Sequence, residues 1–387
     1  MYLSRRHKMD IPSYRVSTDR WLDFDWMLFL TMGVLMAFGG ISIWSAVGLP
    51  NPMVDLLNDG SKHLLFGAIG LVLMFFFASL DYRYLHAVVW PLYVLGLLSL
   101  LVVQTPLGVE IAGARNWLNV GFTLIQPSEF TKLTTVLPLA AYGSGQGTEM
   151  KRFSNFVIAA LIVALPSMLI LIGPDLGQTM VYIAIWLFSL LAMRTSNLWI
   201  GITAISMPFL GLFAWHFVLQ GYQKNRLIVS YNPDIAPLEG GYQILQAHTA
   251  IGAGGIFGEG IRGGTQSTLN LLGVAESDFI FAHASGMFGF VGMIGLMIAM
   301  VILIWRCLSI AEIARDHFGQ MIAISTAAMF FFQATLNIGM NIGLMPVAGL
   351  TLPFVSAGVS SLWTSMMFVG ILQSIRMHHR KLGFQPL

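Results

Sequence analysis

Cysteine is almost absent: Cys307 stands alone in 387 residues. That excludes an internal disulfide and any CxxC metal or redox pair, and leaves Cys307 to be read as an inert buried thiol. Charge is scarce as well. Only 10% of the residues are Asp, Glu, Lys or Arg, against roughly 25% in soluble domains, and the formal net charge is +2. No basic patch for nucleic acid is present, because the basic residues are spread along the chain. Tandem repeats, low-complexity tracts and the inverted internal symmetry of many transporters are lacking too.

What is there is apolar. Hydrophobic residues make up 56% of the chain, and its mean hydropathy is +0.75. Apolar runs of about 18 to 25 residues recur, each long enough at about 1.5 Å per residue to cross a hydrocarbon core of about 30 Å. The pattern predicts an all-α integral membrane protein. Ten spans are expected, at about 26–47, 62–79, 85–104, 126–142, 155–172, 176–193, 197–218, 281–306, 319–344 and 352–375. The apolar run after the basic N-terminus is too long for a signal-peptide core and has no small-x-small cleavage site, so it is expected to stay as an anchor. An even number of spans puts both termini on one side. Segments on that side carry 14 lysines and arginines and the others carry 6, which makes both termini cytoplasmic by the positive-inside rule. The expected organisation is a cytoplasmic segment 1–25, a membrane domain 26–375 with a large outer loop at about 219–280 between helices 7 and 8, and a cytoplasmic tail 376–387.

Polar side chains within such spans are expensive, so each one asks for a reason. In GARNWLNVGFTLIQPSEFTKL, Pro127 and Ser128 mark a helix start, and Glu129 and Lys132 sit three apart on one face, spaced to pair. The pair is either an ion pair locking helices together or part of a cavity in which Lys132 faces an anion. Arg115, which precedes it in the first outer segment, is a further candidate for substrate binding or ion pairing. Asp175, in the turn GPDL, is either a cap on the next helix, where a carboxylate suits the dipole, or a further candidate substrate contact. Lys224 and Arg226 in the large outer loop are either solvated charges or a grip for phosphate or carboxylate, Arg226 by its two-pronged geometry.

The stretch from Gly252 to Asp278, GAGGIFGEGIRGGTQSTLNLLGVAESD, is polar and glycine-rich inside an otherwise greasy chain. Glycines let a backbone approach a ligand closely, and this stretch is expected to be the active-site loop. It is not a dinucleotide fingerprint, since no strand and crossover helix surround it. Gln266 and Glu276 are candidate substrate contacts within it. Asp278, where the loop meets the next helix, is either a helix cap or a partly desolvated general base. His248 and His283 lack metal-ligand spacing, so no metal site is expected from them. Gln333, Asn337 and Asn341 recur every fourth residue, a pattern that glues membrane helices together, and Pro346 to Ser361 reads as irregular backbone that needs shelter.

Taken in order, GARNWLNVGFTLIQPSEFTKL, GPDLGQT, NPDIAPLEGGYQILQAHTAIGAGGIFGEG, GTQSTLNLLGVAESDFIFA and NIGMNIGLMPVAGLTLPFVSAGVSSL resemble the SEDS family of shape, elongation, division and sporulation proteins. GTQSTLN is more similar to the RodA branch than to FtsW. The resemblance implies a peptidoglycan glycosyltransferase that polymerises lipid II, an undecaprenyl-linked disaccharide-peptide, at the outer face of the bacterial cytoplasmic membrane. It also implies a class B penicillin-binding protein transpeptidase as partner. Asp278, in DFIFA, matches the family's essential aspartate, and Glu129 and Lys132 match its acidic and basic pair in QPSExxK. The chain also departs from the family pattern. Gly273 and Val274 replace an LPE motif, Gly286 and Met287 replace an acidic pair, Gly173 replaces a Gln, and Val359 interrupts GGSS. A divalent cation is the one cofactor the resemblance raises. Two other readings stand beside the enzyme: a lipid-linked precursor transporter using Glu129 and Lys132, and a non-catalytic scaffold of the cell-wall synthesis complex.

Overall fold

The computed structural model describes residues 20–46, 59–111, 113–236, 240–261, 272 and 275–379. Its helices are α1 (Trp26–Ala46), α2 (Asp59–Ser79), α3 (Arg83–Val103), α4 (Pro127–Gln146), α5 (Phe153–Ile172), α6 (Leu176–Ala192), α7 (Asn197–Phe213), α8 (Gly221–Tyr231), α9 (Gly240–Ala253), α10 (Ile280–Ile313), α11 (His317–Asn341) and α12 (Val359–Met377). All but α8 and α9 fall on the ten expected spans. Seven are both long and apolar enough to cross a membrane. Helix α6 is shorter, with 17 residues, while α4 and α12 carry more polar residues. Hydrocarbon leaves a backbone no partner but itself, so runs this apolar close their own hydrogen bonds as helices.

Of the seven, α11 is the most enclosed: 72% of its apolar window is buried, against 6% for α7 at the periphery, and α12 is buried along nearly its whole length. Glycines allow the closest approaches. Gly370 of α12 lies against the Met74 carbonyl of α2, and Gly39 of α1 against the Val355 backbone, where a β-carbon would collide. At one end of the bundle Asp25 ties three helices. Arg306 of α10 reaches its carboxylate at 2.6 Å and Arg376 of α12 at 3.5 Å, while the Gln373 amide exchanges two hydrogen bonds with the Asp25 backbone.

At the other end the chain does things that hydropathy alone does not show. The segment before α4 is a small antiparallel sheet of β1 (Gly108–Ile111), β2 (Ala114–Asn119) and β3 (Leu124–Ile125), with Val109 opposite Trp117 and Leu118 opposite Ile125. The tenth span, expected from residue 352, starts as helix only at Val359. Before it, Leu352 to Ser356 form buried irregular backbone. Pro353 disfavours helix at the residue preceding it, and Gly343, Gly349 and Phe354 turn the chain at positive φ.

Helix α10 is broken at Gly289, whose φ of 61° and ψ of −168° are not helical. The break releases two carbonyls and two N–H groups, and the chain just after α9 takes up all four. Glu259 and Gly260 N–H donate to the Gly286 and Met287 carbonyls at 2.9 and 3.0 Å, and Phe290 and Val291 N–H donate to the Gly255 and Ile256 carbonyls at 2.9 and 3.1 Å. A non-helical loop lies this far along a membrane helix only where protein satisfies its backbone, and here it does. Gly254 and Gly258 sit against the Ser285 and Met287 carbonyls with no room for a β-carbon. These glycines of the expected ligand-facing loop therefore serve packing.

Candidate active site

Two carboxylate centres occupy the end of the bundle opposite Asp25. The first is built on the start of α4. Pro127 at its first position fixes a helical φ where no N–H is needed, so the chain turns directly from β3 into the helix. Two residues later the buried Glu129 receives the Lys132 ammonium at 2.8 Å and, on its other oxygen, the Gln178 side-chain amide at 2.5 Å. Lys132 is fully buried. The pairing that three-residue spacing predicts is therefore present, saturated, and tied to α6. Tyr182 of α6 adds a hydrogen bond to the Ser128 carbonyl at 2.8 Å.

Asp175 caps α6 by accepting from the Gln178 N–H at 3.0 Å, as its position predicts. Its second oxygen takes Gln126 at 3.1 Å and Asn116 at 3.4 Å, which joins β2, α4 and α6. Burial pushes its carboxyl up to about 6, opposed by the Gln178 hydrogen bond.

The second centre is Asp278, half-buried, two residues before α10. Its carboxylate has one partner, the Ser277 hydroxyl at 3.3 Å, and forms no ion pair among the described residues. Burial raises its pKa, while Arg226 and the Ser277 hydroxyl pull it down and Glu276 pushes it up. A β-carbon built on Gly349 would lie 3.7 Å from the Asp278 carboxylate and 3.9 Å from the Arg226 guanidinium. The glycine thus leaves open the space these two groups share. Arg226 also acts on Asp175, so its field links the two centres.

The backbone around Asp278 is held at three successive carbonyls. Ala357 N–H donates to Glu276 at 2.7 Å, the Ser356 hydroxyl to Ser277 at 2.7 Å, and the Asn337 and Asn341 amides to Asp278 at 3.2 and 3.0 Å. The every-fourth-residue spacing shows that the amides of α11 share a face. What they grip is a loop 59 to 63 residues away in sequence, which spacing does not reveal. Ser356 and Gly349 lie in the stretch that reads as irregular backbone, and nothing local marks what they face.

Other candidates fall elsewhere. Arg115 pairs with Glu110 across β1 and β2 at 3.3 Å, with both side chains well exposed. Lys224 lies 6.0 Å from the centre of the Trp215 ring. Glu276 borders Asp278, and Gln266 lies outside the described residues. Gly286 and Met287 offer no side-chain oxygen, and their carbonyls are already engaged. A divalent cation held at those two positions does not fit, and among the described residues no cluster of three His, Cys, Asp or Glu suits a metal.

Residues 21–381 match the family model described as Cell cycle protein, FtsW/RodA/SpoVE. The chain belongs to this family. It is 32% identical over 374 residues to the peptidoglycan glycosyltransferase MrdB of Escherichia coli, covering 97% of this chain and 99% of that protein. It is 33% identical to the stage V sporulation protein E of Bacillus subtilis, covering 95% and 99%. A solved structure described as the structural coordination of polymerization and crosslinking by a peptidoglycan synthase complex superposes with a TM-score of 0.77 at 27% identity, covering 93% of this chain and 99% of that one. The rod-shape-determining RodA of Thermus thermophilus gives 0.69 at 26%, with the same coverage. Family membership and the apolar helices together make this FtsW/RodA/SpoVE protein a multi-pass membrane protein.

Proposed function

We infer that this chain is a peptidoglycan glycosyltransferase that polymerises lipid II, with Asp278 as the general base. The near full-length similarity to a protein named peptidoglycan glycosyltransferase supports the activity. One observation carries the role of Asp278: its carboxylate is held in place through its backbone yet has no ion-pair partner among the described residues, beside an arginine and an open glycine corner. In the reaction the acceptor sugar's 4-hydroxyl attacks the donor's anomeric carbon as the bond from that carbon to the lipid pyrophosphate breaks. The hydroxyl proton passes to Asp278, and attack from the opposite face inverts the donor carbon. Arg226 supplies positive charge for the departing pyrophosphate. Lys132 is committed to Glu129 and works from behind, by fixing α4 against α6.

The site faces outward in this reading. The end bearing Arg20, Arg83, Arg306 and Arg376 is cytoplasmic, together with both termini, and the Asp278 end opens to the outer leaflet where the lipid carrier sits. A class B penicillin-binding protein, which would crosslink the strands, is the partner in this reading; the solved synthase complex of similar fold supports it. The test is a gel assay of glycan strands from labelled lipid II, with the purified protein and its partner. Strands that appear with wild type and vanish with Asp278→Asn support the reading. Transfer of labelled lipid II across vesicles without any strands would make the chain a transporter. Partner binding with neither strands nor transfer would make it a scaffold.

A further inference from the structure

Asp278 stands where a helix cap is expected, and it does not cap. The N-cap position of α10 is Phe279, which has no side-chain acceptor for the first turn. The acceptor comes instead from another helix: Asn341 of α11 takes the Ala282 N–H on its side-chain oxygen at 3.2 Å, while its amide donates to the Asp278 carbonyl at 3.0 Å. Asn341 is fully buried, and its amide is also anchored on its own helix through the Asn337 carbonyl at 2.8 Å. One side chain thus supplies the missing cap and fixes the backbone of the residue that would otherwise supply it.

We propose that Asn341 is a positioning residue that caps α10 in place of Asp278 and so leaves the Asp278 carboxylate unspent. An aspartate next to an uncapped first turn is a preferred cap, and the bond it would form satisfies one of the orphan N–H groups of the helix start. With Asn341 removed, Asp278 is the nearest side chain able to take over. It would then turn away from Arg226 and Gly349 toward the backbone of its own helix. The catalytic half of this inference rests on Asp278 being the base; the capping half does not.

The experiment is a thermal-unfolding cycle on the detergent-purified full chain: wild type, Asn341→Leu, Asp278→Ala and the double variant. Asp278→Ala is expected to lower Tm little in the wild-type background and clearly more in the Asn341→Leu background, where the carboxylate has become the cap. Equal losses in both backgrounds overturn the proposal. If Asn341→Leu is not recovered folded, Asn341→Ala is used in the same cycle and read the same way. Glycan synthesis by Asn341→Leu gives the second readout. Its kcat should fall roughly 10- to 100-fold with KM nearly unchanged, as for a displaced catalytic group. The acid limb of its pH profile should move, because the carboxylate exchanges the pull of the Arg226 charge for a bond to a backbone N–H. The groups facing Asp278 in the wild type are Arg226, Glu276 and the Ser277 hydroxyl, and of these the displaced carboxylate leaves Arg226 behind. An unmoved limb contradicts the positioning role. If Asp278→Asn polymerises normally, the base assignment fails, and the unfolding cycle still decides the capping exchange.

Discussion

Glu129 and Asp278 are the two acids that family resemblance singles out, and the structure treats them in opposite ways. Glu129 is buried and saturated, with an ammonium on one oxygen and an amide on the other. Asp278 is half-buried and, among the described residues, undersupplied, with a single 3.3 Å contact to its neighbour's hydroxyl. A buried carboxylate that has all its partners contributes to architecture, and removing one partner strands a charge. A carboxylate whose backbone is gripped while its oxygens are left open has been positioned for something that is not part of the protein. The difference separates a structural acid from a chemical one more sharply than sequence does, since both read as charges near a helix start.

The largest expected effect breaks the chemical side. Asp278→Asn should cost about 10² to 10⁴ in the rate of strand synthesis, the usual loss for a general base, with little change in Tm. Next comes the structural side. Lys132→Met leaves Glu129 charged and unpaired in the interior, and should destabilise the fold by about 3 to 5 kcal/mol. Restoring neutrality with Glu129→Gln in the same chain should recover most of that loss, as measured by thermal unfolding.

A smaller change sharpens the comparison. Burial raises the Asp278 pKa and Arg226 opposes it, so activity should rise with pH through a limb above the ordinary aspartate range. Arg226→Gln removes the opposing charge and should move that limb higher still. A limb that stays in place would show that Arg226 does not act on the base. The smallest effect concerns Asp175. Its pKa is raised to about 6 in the folded state from an ordinary 3.8, so folding favours the protonated form. Stability from this group is full below the unfolded value, falls as pH rises from about 3.8 to 6, and is constant above. Asp175→Asn should flatten that part of the Tm against pH curve while losing little of the α6 cap.

The spans and the paired charges were legible in sequence because both are local. A run of apolar residues states its own need for a helix, and Glu129 and Lys132 meet within one turn. The cap at Asp175 was legible for the same reason. Long-range exchanges were not. Nothing in GAGGIFGEG says that its glycines pack against a broken α10, because the break at Gly289 depends on partners some 30 residues away. Gly349 reads as one more loop glycine until its open side is seen to face both Asp278 and Arg226. Asn341 was legible as a polar residue on a membrane helix and illegible as a cap, since caps are sought within the same helix. Arg115, nominated for the site by its position before α4, was taken up by a cross-strand partner that hydropathy gave no reason to expect.

The division of labour between the two acids is tested most directly by measuring Asp278→Asn and Glu129→Gln side by side, for strand synthesis from labelled lipid II and for Tm in the same preparations. Asp278→Asn should stay folded at nearly the wild-type Tm and make no strands. Glu129→Gln should lose Tm, because Lys132 is left buried without its counter-charge, and should lose activity only as its folded fraction falls. Strand synthesis by Asp278→Asn at the wild-type rate would contradict the account, as would a Glu129→Gln protein that keeps its Tm and loses all synthesis.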